Sequence, residues 1–479
     1  MTNCDQMYIA GQWQTARGQA VALINPATEQ SAGDLICASP AQVTEAVDAA
    51  RAAFDAGWGQ LDTLSRAEYL RAFVAALEER REELAQCISA EIGTPIDFAR
   101  AGQVGAAFAH LEATLTALDH LVNDRPLTQF DAHRIRYEPL GVAVLITPWN
   151  WPLNQVVLKV GAALAAGCCV VLKPSELSSR TAVILAKVIE AAGLPEGVFN
   201  LILGDGAVGA ALVEIPQIDI VSFTGSTATG REIAKQAAQH FTRTTLELGG
   251  KSPNILFADC DLPTAVRQGV AHCFRNSGQS CNAATRMLVQ RDVYDEAVAL
   301  ALEAAEQTYL DAPDHPGGHQ GPLVSQSQYE RVQRYLQIAK DEGARFAYGG
   351  AGRPDGIEVG FYARPTVLAD VTPEMTVFKD EIFGPVLCMT PFDTEDEAIA
   401  LANDSPYGLA GYVQTADEAR ADRVAQRLRV GMVQVNGKSR EGGAPFGGMG
   451  QSGSGREAGL WGIRAFQDIK SISGVARNN

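Results

Sequence analysis

From residue 141 onward, short apolar runs alternate with segments of helical pattern, and this alternation restricts the chain to few folds. The apolar runs are GVAVLIT, CCVVLK, VFNLI and DIVSFTGS, each followed by a predicted helix, near 154–166, 176–192, 206–213 and 229–239. Buried strands separated by helices are typical of a parallel sheet with helices on both faces. We therefore predict an α/β fold with a doubly wound parallel sheet, in which ligands bind where strands end and helices begin.

Two further regions complete the predicted architecture. A second alternation of strands and helices over 286–450 predicts another α/β domain with its own sheet. The stretch 123–138 is typical of an extended hairpin, and RAFQDIKSISGV near the end alternates like a strand. These two β segments would pair as a small sheet whose exposed edges favour subunit assembly.

The N-terminal quarter has the pattern of packing helices. Ser39 is predicted as an N-cap, with Pro40 at the first helical position and Gln42 as the reciprocal capping partner. A second helix is predicted to begin at Ser65 and to end at Gly93. We expect both helices to pack against the core without a chemical task.

Charge and length exclude several classes of protein. The 479 residues exceed the size of a single core, so two or three domains are expected. With 39 basic and 56 acidic residues the formal charge is −17, which argues against a nucleic-acid partner. The chain has no apolar run long enough to cross a bilayer, and its first residues do not form a secretory signal. We expect a cytoplasmic protein without a membrane partner.

The nine cysteines form neither a CxxC pair nor a zinc-type spacing with histidine, so no metal site is predicted. In a reducing compartment most of them are expected to be core thiols. Cys281, in FRNSGQSCNAATR, has three interpretations: a nucleophile, a metal or disulfide partner, or a buried thiol. Its neighbours in the sequence must decide between them.

Polar residues stand at several predicted junctions between strand and helix. The glycine-rich turn Gly225–Gly230 would present backbone N–H groups to a phosphate, or would simply be a turn. Lys173 and Glu176 would bind ribose hydroxyls, or would form a surface ion pair. Asn150 has a side-chain amide that would donate to an oxyanion.

Two more carboxylates stand in unusual surroundings. Glu247 lies in the apolar stretch LELGGKSPNILF, where an ionised group is costly unless it has partners or a role. Glu381 lies in KDEIFGPV, in a turn closed by Gly384 and Pro385. A single function should account for Cys281, for the polar residues at the strand ends and for these two carboxylates.

In these motifs the chain resembles the aldehyde dehydrogenase superfamily, in its NAD(P)-dependent, non-acylating form, over nearly its full length. The motifs TPWNWP, KPSE, FTGSTATG, LELGGKSP, GQSC, EIFGPV and PFGGMGQSGSGRE stand in the family's order. Glu247 and Cys281 are 34 positions apart, as are the family's base and nucleophile. The resemblance implies a Rossmann-like dinucleotide-binding domain (1–119 and 140–249), a catalytic domain (250–450) and a small β oligomerisation element (120–139 and 463–479).

The resemblance implies a reaction as well as a fold. Cys281 would attack an aldehyde, and Asn150 with the Cys281 backbone N–H would bind the oxyanion. Hydride transfer to NAD would leave a thioester, and the site is expected to favour the Cys281 thiolate. Glu247 would activate the water that hydrolyses this thioester to a carboxylic acid, and its presence disfavours transfer to coenzyme A. Glu457 and Lys159 would either take part in a proton path or form a structural ion pair.

The implied cofactor site consists of residues at the strand ends and in the EIFGPV turn. They are Thr147, Trp149, Lys173, Ser175, Glu176, Gly225, Ser226, Gly249, Glu381 and Phe383. Glu176 would accept hydrogen bonds from a free 2′-hydroxyl and repel a 2′-phosphate, which favours NAD over NADP. NADP remains open, because Lys173 and Ser175 would partly offset that repulsion.

The implied substrate contacts come from variable positions, namely Asn154, Val157, Leu158, Arg275, Ser280 and Asn282, with the loop GKSREGGAPF at the entrance. Arg275 stands six residues before Cys281, where relatives acting on succinate semialdehyde carry an arginine for the substrate carboxylate. Those relatives have a second arginine where this chain has Leu158. The substrate is therefore either an aldehyde with a polar or anionic end, or any of a broad range of apolar aldehydes.

Three alternatives to a hydrolysing aldehyde dehydrogenase stay open. One is a catalytically silent NAD-binding scaffold, and the other two are an acylating and a reducing enzyme, both of which Glu247 disfavours. A homodimer and a homotetramer are equally compatible with the resemblance. The sequence ELSSRT departs from the family's usual threonine-proline after KPS, which would change how the following helix begins.

Overall fold

The computed structural model describes residues 4–127 and 133–474, and two large sheets dominate this part of the chain. The first sheet has eight strands among the described residues, in the spatial order Gly453–Ser454, Arg243–Glu247, Ile220–Thr224, Val142–Thr147, Cys169–Pro174, Phe199–Leu201, Gln6–Ile9 and Gln12–Thr15. The five from Arg243–Glu247 to Phe199–Leu201 are parallel. Their buried, β-branched side chains agree with the pattern from which a parallel sheet was predicted.

Helices follow the strands of the first sheet as the alternation predicts. Their bounds are Pro152–Ala166, Ser179–Ala191, Gly206–Val213 and Thr227–Ala237. A short 3₁₀ turn over Glu176–Ser178 precedes the second of them. The predicted α/β fold with a doubly wound parallel sheet is confirmed.

The N-terminal quarter is only partly as predicted. The Ser39 cap is confirmed, with its hydroxyl accepting from the Gln42 N–H at 3.4 Å. The second helix was predicted wrongly: it begins at Thr63, because Asp62 accepts from the Ser65 N–H at 2.8 Å. It also breaks at Arg80, so that Gly93 closes a separate helix. The first helix is Pro40–Asp55. The prediction merged the helices Thr63–Glu79 and Arg81–Ile92 into one. It missed the strands Ala20–Ile24 and Ser31–Ile36 and the helix Gly105–Asp119.

The second sheet has seven strands among the described residues, in the order Arg345–Tyr348, Thr366–Ala369, Val386–Phe392, Arg286–Gln290, Pro253–Leu256, Ala410–Gln414 and Met432–Val435. The last six strands run parallel to one another, and Arg345–Tyr348 is antiparallel to Thr366–Ala369. Its helices are Leu262–Phe274, Tyr294–Glu306, Gln326–Asp341, Thr376–Lys379, Glu395–Asn403 and Glu418–Arg427. Separate apolar cores lie under the two sheets.

A small antiparallel sheet joins distant parts of the chain, as the two isolated β segments predict. Its strands are Gln467–Ser473, His133–Pro139 and Asp124–Pro126, and helix Gly459–Ala465 precedes the first. The tip of the predicted hairpin and the last five residues lie outside the described residues. Among the helices of the described ranges, none combines the length and apolar character of a membrane span. The division into domains stays a prediction.

Candidate active site

The three predicted catalytic side chains meet in one cavity between the two sheets. Glu247 ends strand Arg243–Glu247 of the first sheet, and Asn150 follows strand Val142–Thr147 by three residues, with Ile220–Thr224 lying between these two strands. Cys281 reaches them from the loop between helix Leu262–Phe274 and strand Arg286–Gln290 of the second sheet. All three line a space of about 230 Å³, called here the nucleophile cavity.

The loop that carries Cys281 has an unusual backbone. Asn276, Ser277 and Gly278 all have positive φ, at 55°, 57° and 71°. A Cβ on Gly278 would lie 2.1 Å from the carbonyl of Gly384, so the loop packs backbone to backbone against the EIFGPV turn. Strained conformations of this kind persist only when the surroundings hold them, and they concentrate at functional sites.

Asn150 is fixed on both its backbone and its side chain. Its carbonyl accepts from Asn276 Nδ2 at 2.8 Å and from Gln103 Nε2 at 3.0 Å. Its own Nδ2 donates to the Gln279 carbonyl at 2.9 Å. Because a side-chain amide has two N–H groups, one anchors Asn150 and the second is left to donate into the cavity.

The protein surroundings of Cys281 favour the thiol. Burial, followed by the negative charges of Glu381 and Glu247, raises the pKa of the Cys281 thiol. The expectation that the site's own residues favour the thiolate is therefore wrong in direction, because no cation among the described residues outweighs these effects. A proton acceptor close to the sulfur is needed for attack.

Glu247 has the properties of such an acceptor. It is 2% exposed, and neither carboxylate oxygen has a hydrogen-bond partner among the described residues. Burial, and then the charge of Glu457, raise the pKa of Glu247 well above its ordinary value, while Lys159 opposes the shift. Lys159 itself forms a buried ion pair with Glu457 and donates to Ser222 Oγ at 3.0 Å. A raised pKa makes the Glu247 carboxylate a better base near neutral pH.

A second space of about 320 Å³, called the strand-end cavity, lies at the carboxyl ends of the first sheet. It shares Trp149, Thr224 and Gly225 with the nucleophile cavity, so the two form one cleft. The cleft is lined by all ten residues predicted for cofactor binding: Thr147, Trp149, Lys173, Ser175, Glu176, Gly225, Ser226, Gly249, Glu381 and Phe383.

Several polar groups in this cleft lack partners within the described chain. The hydroxyls of Thr147 and Thr224 are buried without a hydrogen bond there. Lys173 is 4% exposed, burial lowers its pKa, and no described residue accepts a hydrogen bond from its ammonium. Ser226 caps helix Thr227–Ala237, accepting from the Thr229 N–H at 3.2 Å, and the helix N-terminus is a site for phosphate. These donors and acceptors fit a dinucleotide.

Glu381 and Phe383 are held on the wall of the nucleophile cavity. Glu381 Oε1 accepts from the Gly250 N–H at 2.9 Å, and a Cβ on Gly249 would lie 2.3 Å from Glu381 Oε2. Burial raises the pKa of Glu381 to about 7. Phe383 has a φ of 63° and packs edge-on against Trp149, with ring centroids 5.7 Å apart.

Two residues that sequence reasoning missed hold this turn in place. From helix Gln326–Asp341, Gln328 donates to the Phe383 carbonyl at 2.7 Å. Arg331 donates to the carbonyls of Ile382, at 3.1 Å, and of Glu381. Both also line the nucleophile cavity. Neither stands in a recognisable motif, so only the tertiary contact reveals them.

Glu91 was missed for the same reason. Its carboxylate accepts from the backbone N–H groups of Arg180, at 2.7 Å, and Thr181, at 3.0 Å. It thereby caps helix Ser179–Ala191, which begins within ELSSRT, where the sequence departs from the family's pattern. The cap comes from a distant helix instead of from the adjacent residues.

The predicted substrate residues divide into two groups. Arg275 and Asn282 line a space of about 460 Å³, called the outer cavity. Ser280 is buried, and its hydroxyl accepts from Trp151 Nε1 at 2.9 Å. The remaining three, on helix Pro152–Ala166, are buried and are not among the residues lining either the nucleophile or the outer cavity: Asn154, Val157 and Leu158. Their role in substrate binding stays a prediction.

Comparison with known proteins agrees with this geometry. The model of the aldehyde dehydrogenase family matches residues 13–472. The chain belongs to the aldehyde dehydrogenase family. Among curated relatives of this aldehyde dehydrogenase, a 3-succinoylsemialdehyde-pyridine dehydrogenase from a Pseudomonas species is 45% identical over 477 residues, covering 99% of each chain.

Solved structures of aldehyde dehydrogenases superimpose on nearly the whole chain. The enzyme from Bartonella henselae matches with a TM-score of 0.97 at 45% identity, covering 99% of this chain and 100% of the other. A mutant of aldehyde dehydrogenase C from Pseudomonas syringae, in complex with NAD+ and octanal, matches with a TM-score of 0.96 at 44% identity, covering 99% and 98%. The predicted family and its fold are confirmed.

Proposed function

We propose that this aldehyde dehydrogenase oxidises an aldehyde to its carboxylic acid with NAD, through a covalent thioester on Cys281. The observation that supports this most strongly is the convergence of Cys281, Asn150 and Glu247 on one cavity from two different sheets. A silent scaffold has no need to keep a nucleophile, an oxyanion donor and a base together. We regard that alternative as the weaker one.

In the first step Glu247 takes the thiol proton and the Cys281 sulfur bonds to the aldehyde carbon. The carbonyl oxygen becomes an oxyanion, which accepts from the second N–H of Asn150 Nδ2 and from the Cys281 backbone N–H. Each such donor contributes ~3–4 kcal/mol to the transition state. Bound NAD supplies the hydride acceptor, after which Cys281 carries a thioester.

Glu247 then releases the thiol proton to solvent, so that in the second step its carboxylate removes a proton from water and the resulting hydroxide attacks the thioester carbon. The C–S bond breaks, the acid leaves, and Cys281 recovers its proton. The buried Lys159–Glu457 pair beside Glu247 supports a path for the proton between Glu247 and solvent. A purely structural role for that pair is the alternative.

The cleft supports NAD as the cofactor. Trp149 and Phe383 would flank the nicotinamide side, Glu381 its ribose, and the start of helix Thr227–Ala237 the pyrophosphate. Lys173 and Glu176 would bind the adenosine ribose. Three solved relatives, from Pseudomonas syringae, Bacillus cereus and Staphylococcus aureus, are complexes with NAD+. Glu176 disfavours a 2′-phosphate, so NADP would bind more weakly.

For the substrate, two classes are supported by different observations. The name of the Pseudomonas relative refers to a semialdehyde, and Arg275 on the outer cavity supports an aldehyde with a polar or anionic end. The complex of the Pseudomonas syringae enzyme with octanal supports apolar aldehydes. We propose the first class.

The experiment that tests the proposal follows NADH formation across a panel of aldehydes, with NAD and NADP in parallel. The wild type should oxidise at least one aldehyde, faster with NAD, and Cys281→Ala should not. Equal activity in both proteins would refute Cys281 as the nucleophile.

We further propose the division into domains at the predicted boundaries, 1–119 with 140–249, 250–450, and 120–139 with 463–479. Ile469 on the small antiparallel sheet is 61% exposed, and Trp461 on the preceding helix Gly459–Ala465 is 56% exposed, which supports assembly into a homodimer or homotetramer. All nine cysteines are free thiols, which supports a reducing compartment such as the cytoplasm.

A further inference from the structure

The outer cavity has a charge composition opposite to that of the chain. Its walls contain Arg275 and Arg440 and no aspartate or glutamate. In the chain as a whole, acidic residues outnumber basic ones, 56 to 39. The other polar wall residues are neutral, chiefly the amides Asn254, Gln268, Gln414 and Gln434. A cavity with two cations and no anion attracts a negatively charged ligand.

Arg275 has a charge that the protein does not neutralise. It follows the end of helix Leu262–Phe274 and is exposed, and its guanidinium forms neither a hydrogen bond nor an ion pair within the described ranges. Its neighbour His272 is neutral near pH 7, because burial, and then Arg275 itself, lower the pKa of His272 to about 4. All the hydrogen-bond donors of this guanidinium are therefore available to a ligand.

Arg440 comes from a distant loop and is held in one orientation. It donates to the Glu441 carbonyl at 3.1 Å and to the Ala444 carbonyl. Its guanidinium also lies over the ring of Phe446, 5.3 Å from the centroid. A guanidinium has five N–H donors, so these contacts orient Arg440 and leave others free.

The outer cavity is joined to the chemistry through the nucleophile loop. Asn282 lines it, while the preceding residue Cys281 lines the nucleophile cavity. The hydroxyl of Tyr412, another wall residue, donates to the Asn282 carbonyl at 2.8 Å. The outer cavity therefore begins next to the nucleophile, and a substrate that extends from Cys281 into it would bring its far end to the wall that carries the two arginines.

We propose that Arg275 and Arg440 together bind a carboxylate at the far end of the substrate, so that the preferred class is an ω-carboxy aldehyde. This inference rests on the proposed function and adds its specificity-determining pair. The second cation comes from Arg440 on its loop. It does not come from helix Pro152–Ala166, where this chain has Leu158 at the position of the relatives' second arginine. The paired guanidinium groups give planar, bidentate recognition that an isolated lysine would not.

The test compares 6-oxohexanoate with hexanal, which has the same number of carbons and no carboxylate. The wild type should have the higher kcat/KM for 6-oxohexanoate. Arg275→Gln and Arg440→Gln should each lower the ratio of the two kcat/KM values about tenfold or more, through KM. Arg440→Lys keeps the positive charge but loses the planar pair of N–H donors of the guanidinium, so it should lower this ratio less than Arg440→Gln does.

Arg267→Gln is the matched control, because Arg267 is an exposed arginine on the same helix as His272 and does not line the cavity. Its ratio should equal that of the wild type. An unchanged ratio in both Arg275→Gln and Arg440→Gln, with hexanal still oxidised, would overturn this inference and leave the proposed function standing. No NADH from these two or from any other aldehyde of the panel would refute the proposed function itself.

Discussion

Lys159→Met tests the buried ion pair beside the proposed base. Lys159 and Glu457 are 1% and 8% exposed, and Lys159 also donates to Ser222 Oγ at 3.0 Å. Methionine keeps most of the side-chain volume but leaves the Glu457 carboxylate buried without its partner. Breaking a buried pair in this way costs ~3–5 kcal/mol. The urea midpoint of unfolding should fall accordingly.

The same change should move the pH profile of activity. Since the Lys159 charge opposes the rise in the pKa of Glu247, its loss raises that pKa further. The carboxylate form of the base is then present only at higher pH. The acid limb of the kcat profile should shift to higher pH in Lys159→Met.

Lys235→Met is the control for stability. Its pair with Glu232 has a similar geometry, at 2.8 Å, but both side chains are about two-thirds exposed, at 65% and 67%. An exposed pair contributes at most ~1 kcal/mol. If Lys159→Met and Lys235→Met unfold at the same urea concentration and the acid limb does not move, the role given to the buried pair is wrong.

Three further predictions follow from single contacts. Glu91→Ala removes the cap of helix Ser179–Ala191 and should lower the free energy of unfolding by ~1–2 kcal/mol in urea denaturation, whereas an unchanged midpoint would contradict the capping role. Because the pKa of Glu381 is about 7, its carboxylate is lost below that pH, so the KM for NAD should rise as pH falls through 7 in the wild type and stay flat in Glu381→Gln. Arg331→Met should raise the KM for NAD several-fold by loosening the Glu381 turn, and equal KM values in steady-state assays would refute this.

Much of the cleft was predictable because local pattern determines where strands end. Lys173 and Glu247 stand at the carboxyl ends of parallel strands of one sheet, so their position along the same edge followed once the sheet was recognised. The same reasoning placed Asn150 and Ser226 at the neighbouring junctions. Only the position of Cys281 opposite them depended on the resemblance to a family.

Helix boundaries were less predictable where tertiary contacts compete with local signals. Ser65 and Glu68 fit a capping box, yet Asp62, three residues earlier, is the cap in the structure. The helix then breaks at Arg80, where the φ and ψ of −110° and 16° are not signalled by a glycine or proline. Propensity alone does not choose between such alternatives.

The residues that tune the site were not predictable, because their effect depends on contacts between distant segments. Gln328 holds a carbonyl 55 residues away, and Glu91 caps a helix 89 residues further along the chain. Arg440 meets the cavity of Arg275 only through the fold. The raised pKa of Cys281 likewise depends on burial, which the motif GQSC does not specify.

The proposed reaction depends on a thioester on Cys281 that is hydrolysed with Glu247 as the base. Its most direct measurement is intact-protein mass spectrometry of Glu247→Gln after mixing with NAD and hexanal, beside Glu247→Gln/Cys281→Ala. Loss of Glu247 slows deprotonation of the Cys281 thiol, but it slows attack by water more, because water is a much weaker acid than a thiol. An added mass equal to the acyl group should therefore build up slowly on the single variant and be absent from the double variant. An unmodified single variant that turns over at the wild-type rate, or an equal adduct on both proteins, would contradict it.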